Sequence, residues 1–128
     1  MARRIVLLDT SILIDYFRKK DKTQTMFYQL ADDFDEYKIS AVTEYEIYSG
    51  TNEDQKEYWK RFLEYIPVLP FDSLSAKAAV DINNQLKRSR KQIAVADLFI
   101  AATAIANNLP CATLNKKHFD RIDTLELV

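Results

Sequence analysis

The chain has 128 residues and a formal net charge of −1 at pH 7, from 18 Lys+Arg against 19 Asp+Glu, and 48% of it is hydrophobic. That length and apolar content suit one domain over residues 1–128 with a core of its own, and so even a charge balance excludes nucleic-acid binding by bulk charge. One glycine, one histidine and one cysteine exclude a glycine-rich phosphate loop, a Cys/His zinc site and an internal disulfide. In chain order, Ile5–Leu8 is a continuous β-rich run, the pattern of a strand buried on both faces. It stops at Asp9. Thr10 and Ser11 are good cap types, and Ile12, Leu13, Tyr16 and Phe17 follow at helical spacing. Thr23–Leu30 reads as a second helix, followed by an acidic loop at Asp32–Glu36. Lys38–Ser40 is a short strand, and Ala41–Ser49 a helix closed by Gly50. Asn52–Asp54 starts another helix, with Tyr58, Trp59, Phe62, Leu63 and Ile66 on its inner side.

Val68–Phe71, bracketed by Pro67 and Pro70, reads as an edge strand. Asp72 or Ser73 caps a long helix through Ala78, Ala79, Ile82 and Leu86 that runs into the basic cluster Lys87–Lys91. Val95–Ala106 is apolar nearly all round, so a helix there lies in the core. Cys111–Leu114 is a strand, and Leu125–Val128 a candidate for a last one. Strands alternating with helices predict a three-layer α/β/α sandwich around a mainly parallel sheet, with ligands beyond the carboxyl ends of the strands. Ile5–Leu8 is too short for a secretion signal, and Leu98–Asn115 contains Asn107, Asn108 and Pro110, unlike a spanning helix. The reading is a soluble cytoplasmic protein with no membrane partner.

The informative carboxylates interrupt apolar sequence. Asp9 ends a buried strand, and Asp97 divides Ala94–Ala96 from Leu98–Ile100. Each is expensive to bury without a compensating cation or hydrogen bonds; helix capping is the plainer role for either. Thr43 and Glu46 fit a capping box, while Glu44, two residues before Glu46, points elsewhere on a helix. Acids that converge repel one another, and a divalent cation relieves that conflict; oxygen ligands suit Mg²⁺ or Mn²⁺. Periodicity alone does not bring Asp9, Glu46 and Asp97 together.

Four stretches in order resemble the PIN-domain ribonucleases of the VapC toxin type: LLDTSILID at Leu7–Asp15, ISAVTEYEIYSG at Ile39–Gly50, VADLFIAATA at Val95–Ala104, and CATLNKKHF at Cys111–Phe119. The resemblance covers essentially the whole chain. It implies that Asp9, Glu46 and Asp97 are the metal-binding acids. Glu46 is preferred over Glu44 because Ser40, Thr43, Glu46 and Gly50 match the family spacing. Thr10, Thr43 and Thr113 match supporting hydroxyl positions, and Asn115 a polar residue after the fourth strand. Many relatives carry a fourth acid immediately before the phenylalanine, where this chain has His118 before Phe119; Asp120 follows two positions later. The function so implied is a Mg²⁺- or Mn²⁺-dependent endoribonuclease in which metal-activated water cleaves RNA, leaving 5′-phosphate and 3′-hydroxyl ends. It acts as a toxin paired with a small antitoxin, as a homodimer. Lys87, Arg88, Arg90 and Lys91 form the first candidate RNA surface, with Arg18–Lys20 and Lys116–Lys117 as others. The competing readings are a decayed PIN fold that binds RNA or a partner without cutting, and a different Mg²⁺ phosphoryl-transfer enzyme. Asp9-Thr10-Ser11 lacks the second acid that a D-x-D phosphatase needs.

Overall fold

The computed structural model describes residues 3–128. Four strands, β1 (Ile5–Leu8), β2 (Glu36–Ser40), β3 (Val68–Leu69) and β4 (Cys111–Ala112), form one sheet in the order β3-β2-β1-β4. Every pairing is parallel, with Leu8 opposite both Ile39 and Ala112. The seven helices among the described residues are α1 (Thr10–Arg18), α2 (Met26–Gln29), α3 (Ala41–Ser49), α4 (Glu53–Leu63), α5 (Ser73–Arg88), α6 (Val95–Ala106) and α7 (Lys116–Phe119).

Alternate side chains of the central strands enter two separate cores, because successive Cβ atoms of a strand point to opposite faces. Leu7 and Cys111 meet Ala79, Ile82, Leu86, Leu98, Ile100 and Phe119 from α5, α6 and α7. Val6, Leu8, Ile39 and Ala112 meet Ile12, Leu13, Ile47, Trp59 and Leu63 from α1, α3 and α4. This is the expected α/β/α layering. The chain runs from β1 to β2 to β3 in one direction and then returns to place β4 on the other side of β1. The strand order therefore reverses between β1 and β4, where open α/β sheets form their crevice.

Some expected elements are shorter or broken. Thr23–Leu30 is not one helix: a 3-10 turn at Lys22–Gln24, the single turn α2 and a second 3-10 turn at Leu30–Asp32 take its place. The break is at Thr25, whose buried hydroxyl donates to the Lys22 carbonyl at 2.6 Å and accepts from the Tyr28 N–H at 3.3 Å. It thereby ends one turn and caps the next. β2 begins at Glu36, two residues before the expected Lys38, and takes the end of the acidic loop with it. The expected strands at Val68–Phe71 and Cys111–Leu114 are two residues each. Leu125–Val128 contributes one bridge, Leu127 to Cys111, rather than a full strand.

Gly50 is the C-cap residue of α3, though at φ −92° it is not left-handed. Its use is space: a Cβ there would stand 3.3 Å from the Glu46 carbonyl oxygen.

Candidate active site

Asp9 leaves β1 at the crevice and becomes the N-cap of α1. Its Oδ1 accepts from the backbone N–H and the hydroxyl of Ser11, both at 2.5 Å, and its Oδ2 accepts from the Thr113 hydroxyl just past β4. Three donors hold the carboxylate although only 2% of the residue is exposed, which offsets the desolvation of a buried charge. Thr113 in turn accepts the Asn115 N–H at 2.8 Å, and Ser11 Oγ accepts the Leu114 N–H at 3.0 Å. The two strand ends flanking the crevice are thus tied together by polar contacts.

Glu46 comes from α3, and its capping-box role is corrected. The N-cap of α3 is Ser40, whose hydroxyl accepts the Val42 N–H at 3.0 Å. Thr43 is therefore inside the helix, and Glu46 is free of any cap. Glu46 Oε1 instead accepts from the Thr10 hydroxyl at 2.6 Å, and Thr10 Oγ1 lies 3.0 Å from that of the buried Thr43. The next acid on α3 faces differently. Glu44 acts on Tyr48, whose pKa is raised by burial first and then by Glu44 and Glu64.

Asp97 sits in the first turn of α6, where the helix dipole favours a negative charge. The N-cap there is Ala94, so the capping role considered for Asp97 is not the one observed. Its pKa is raised, by burial first, then by Asp9, then by Glu46; His118 works in the opposite direction. Asp9, Glu46 and Asp97 therefore share one electrostatic field, which their sequence spacing did not establish. Among the described residues, no lysine or arginine forms an ion pair with any of the three.

His118, on α7, places Nδ1 3.7 Å from Asp97 Oδ2 with 47% of its side chain exposed. Asp120 is exposed at the end of α7 and is absent from the charges that act on Asp97. Asn115 participates through its backbone: its N–H reaches Thr113, and its carbonyl accepts the His118 N–H at 3.0 Å. Lys87, Arg88, Arg90 and Lys91 are all exposed at the end of α5. Arg121, three residues past His118, donates to the Lys91 and Gln92 carbonyls at 3.5 and 3.1 Å and tethers the basic cluster to the segment after α7. Sequence reasoning missed Ser11. The available signal was an Asp cap followed two positions later by a hydroxyl, a spacing that folds back onto the carboxylate.

The three acids do not form a closed cage. Among the described residues, no group of three or more His, Cys, Asp or Glu is already arranged to hold an ion. Asp9 and Glu46 turn oxygens toward hydroxyl donors, the arrangement expected of mutually repelling carboxylates. The donor set nevertheless suits a divalent cation: three carboxylates in one field, with no lysine or arginine paired to them.

The PIN domain sequence profile matches residues 6–125. Ribonuclease VapC1 of Methanocaldococcus jannaschii is 36% identical over 118 residues, covering 91% of this chain and 80% of the relative. The chain belongs to the PIN-domain family of VapC proteins. Solved PIN domains share its architecture. The structure of VapBC2 from Rickettsia felis, bound to a promoter DNA fragment, superposes with a TM-score of 0.84 at 25% identity and covers 97% of both chains. A toxin-antitoxin complex from Klebsiella pneumoniae superposes with a TM-score of 0.72 at 26% identity and covers 94% of both. Within this PIN domain, no described helix is long and apolar enough to cross a membrane.

Proposed function

We propose that the chain is an endoribonuclease toxin that hydrolyses RNA phosphodiester bonds at Asp9, Glu46 and Asp97 with a divalent cation, Mg²⁺ or Mn²⁺. The observation that carries this reading is that half-buried Asp97 feels both Asp9 and Glu46, its pKa raised by burial first and then by those two charges, while no lysine or arginine among the described residues pairs with any of the three; a cation would turn that repulsion into attraction. The relative's name, a ribonuclease, and the neighbours' titles, toxin–antitoxin complexes, support the same reading.

A bound cation would supply Lewis acidity toward a phosphate oxygen and lower the pKa of water. The chain's own groups do the rest. Ser11 and Thr113 fix the Asp9 carboxylate, and Thr10 fixes Glu46. Asp97 adds the third charge from a rigid helix end. Such held groups are aimed in advance, so little reorganisation is needed when the substrate arrives. The decayed-site alternative is not favoured, because all three acids are present and interact.

The test is the chemistry of the product ends. Hydrolysis by attacking water leaves 5′-phosphate and 3′-hydroxyl termini. Termini carrying 2′,3′-cyclic phosphate would mean that the ribose hydroxyl attacks instead, and would contradict the proposal.

RNA is held locally. Lys87, Arg88, Arg90 and Lys91 are assigned to phosphate contacts. Reversing two of these charges is expected to lower RNA affinity and flatten its salt dependence by about 1.4–1.8 units of slope, since each phosphate contact contributes about 0.7–0.9. An unchanged slope removes the cluster from the interface.

Two partners complete the reading in a cytoplasmic setting. A cleft of about 940 Å³ lined by Phe27, Phe34, Tyr37, Tyr58, Phe62 and Tyr65 suits the apolar segment of a small antitoxin. Trp59 itself is core, at 3% exposure. Exposed Tyr45 and Val95 beside Phe99 suit a second copy of the chain. Light scattering of the chain alone and with the product of a neighbouring small reading frame tests both. A monomer that binds no such product contradicts them.

A further inference from the structure

His118 is the feature of the site that the proposed function leaves without a task. It is the chain's single histidine. Its neighbour Phe119 is fully buried and anchors α7 in the core below α5 and α6. The one-turn helix is therefore held in place, and its backbone carries the imidazole to the edge of the site. His118 Nδ1 stands 3.7 Å from Asp97 Oδ2, a long ion-pair contact that draws the Asp97 pKa down and is wider than the usual 2.7–3.2 Å of an N–H···O hydrogen bond. Zn²⁺, a first-row cation, takes imidazole nitrogen and carboxylate oxygen at about 2.0–2.2 Å each. A gap of this size is one that a single ion can span. At the end of α7 the chain thus sets a nitrogen donor facing Asp97.

We infer that His118 Nδ1 and Asp97 Oδ2 are ligands of the same cation, so that this site selects a first-row transition ion, with Mn²⁺ as the probe, over Mg²⁺. This rests on the proposed function, in that it assumes a cation at the three acids. The selectivity follows from ligand chemistry. Mg²⁺ is hard, keeps its waters and prefers oxygen, whereas first-row transition ions accept imidazole nitrogen. Asp9 and Glu46 face the ion through oxygen only, so any discrimination by nitrogen is the work of His118.

The test uses the full chain stripped of metal and loaded with Mn²⁺ alone. Pulsed electron spin resonance detects imidazole nitrogen bound to Mn²⁺, and with one histidine in the chain the signal has one source. The expected result is nitrogen coupling in the wild type and its loss in His118→Ala with Mn²⁺ still bound. Calorimetric titration should show the Mn²⁺:Mg²⁺ affinity ratio falling about tenfold or more in the variant. His118 is half exposed, so the substitution spares the fold. Mn²⁺ bound without nitrogen coupling, or an unchanged ratio, overturns this inference and leaves the three-acid site standing. No binding of either ion by the wild type overturns both.

Discussion

Asp97→Asn is expected to lower RNA cleavage by about 10³-fold or more while the protein stays folded, because the amide keeps the shape of the side chain and loses its charge. The residue lies in the first turn of α6 and its carboxylate does not cap the helix. The substitution therefore removes an electrostatic partner of Asp9, Glu46 and His118 and no helix cap. Asp9→Asn is a less clean experiment, since an amide there must face the donors of Ser11 and Thr113.

The same variant makes a second, opposite prediction. In the folded chain the Asp97 pKa is raised, by burial first and then by Asp9 and Glu46. An acid whose folded pKa lies above its unfolded one favours folding when protonated. That contribution is complete below the unfolded value and is lost as the pH rises through the folded one. At neutral pH without metal, ionised Asp97 therefore costs stability. Asp97→Asn should melt higher than the wild type there. The advantage should fade as the pH falls toward the ordinary carboxylate value of about 3.9. A variant that loses activity but melts lower at neutral pH would mean that Asp97 is structural. Undiminished cleavage would remove it from the site.

Phe119→Ala is expected to cost about 3–5 kcal/mol, the range for deleting a fully buried aromatic side chain. Phe119 is 0% exposed and packs in the same core as Leu86, Ile122 and Leu125. Against a total stability of about 5–15 kcal/mol, that loss should shift the urea midpoint severely. It should also free α7 and, with it, the position of His118. Phe119→Leu keeps most of the volume and should cost clearly less. A loss under about 1 kcal/mol for the alanine variant would mean that the site collapses around the gap and that α7 is not anchored as described.

How far the molecule was legible in its residues differs by element. β1 was plain, because Ile5–Leu8 is a run with no polar residue, the pattern of a strand covered on both faces. α6 was plain for a similar reason: an apolar surface all round has only one place to go. The segment at Thr23–Leu30 was misread because its spacing is helical, while the competing hydroxyl of Thr25 forms its own local bonds. Leu125–Val128 has the composition of a strand, but only one bridge joins it to β4.

The acids tell the same story from the other side. Each of Asp9 and Asp97 stood out as a charge in apolar surroundings. Their convergence is a long-range property of the strand order, which places the ends of β1 and β4 side by side and the start of α6 beside them. Glu46 was ambiguous by local rules, since Thr43-x-x-Glu46 satisfies a capping box. The structure moves the cap to Ser40, and only then is Glu46 available to Thr10. The resemblance to PIN domains selected the same glutamate that the geometry places against Thr10.

The most direct test of the central claim is RNA cleavage by the purified full chain as the divalent cation is removed and returned. The account predicts no cleavage in excess chelator, with activity recovered when Mg²⁺ or Mn²⁺ is added to the wild type and not when it is added to Asp97→Asn. Cleavage that proceeds undiminished in chelator would contradict it.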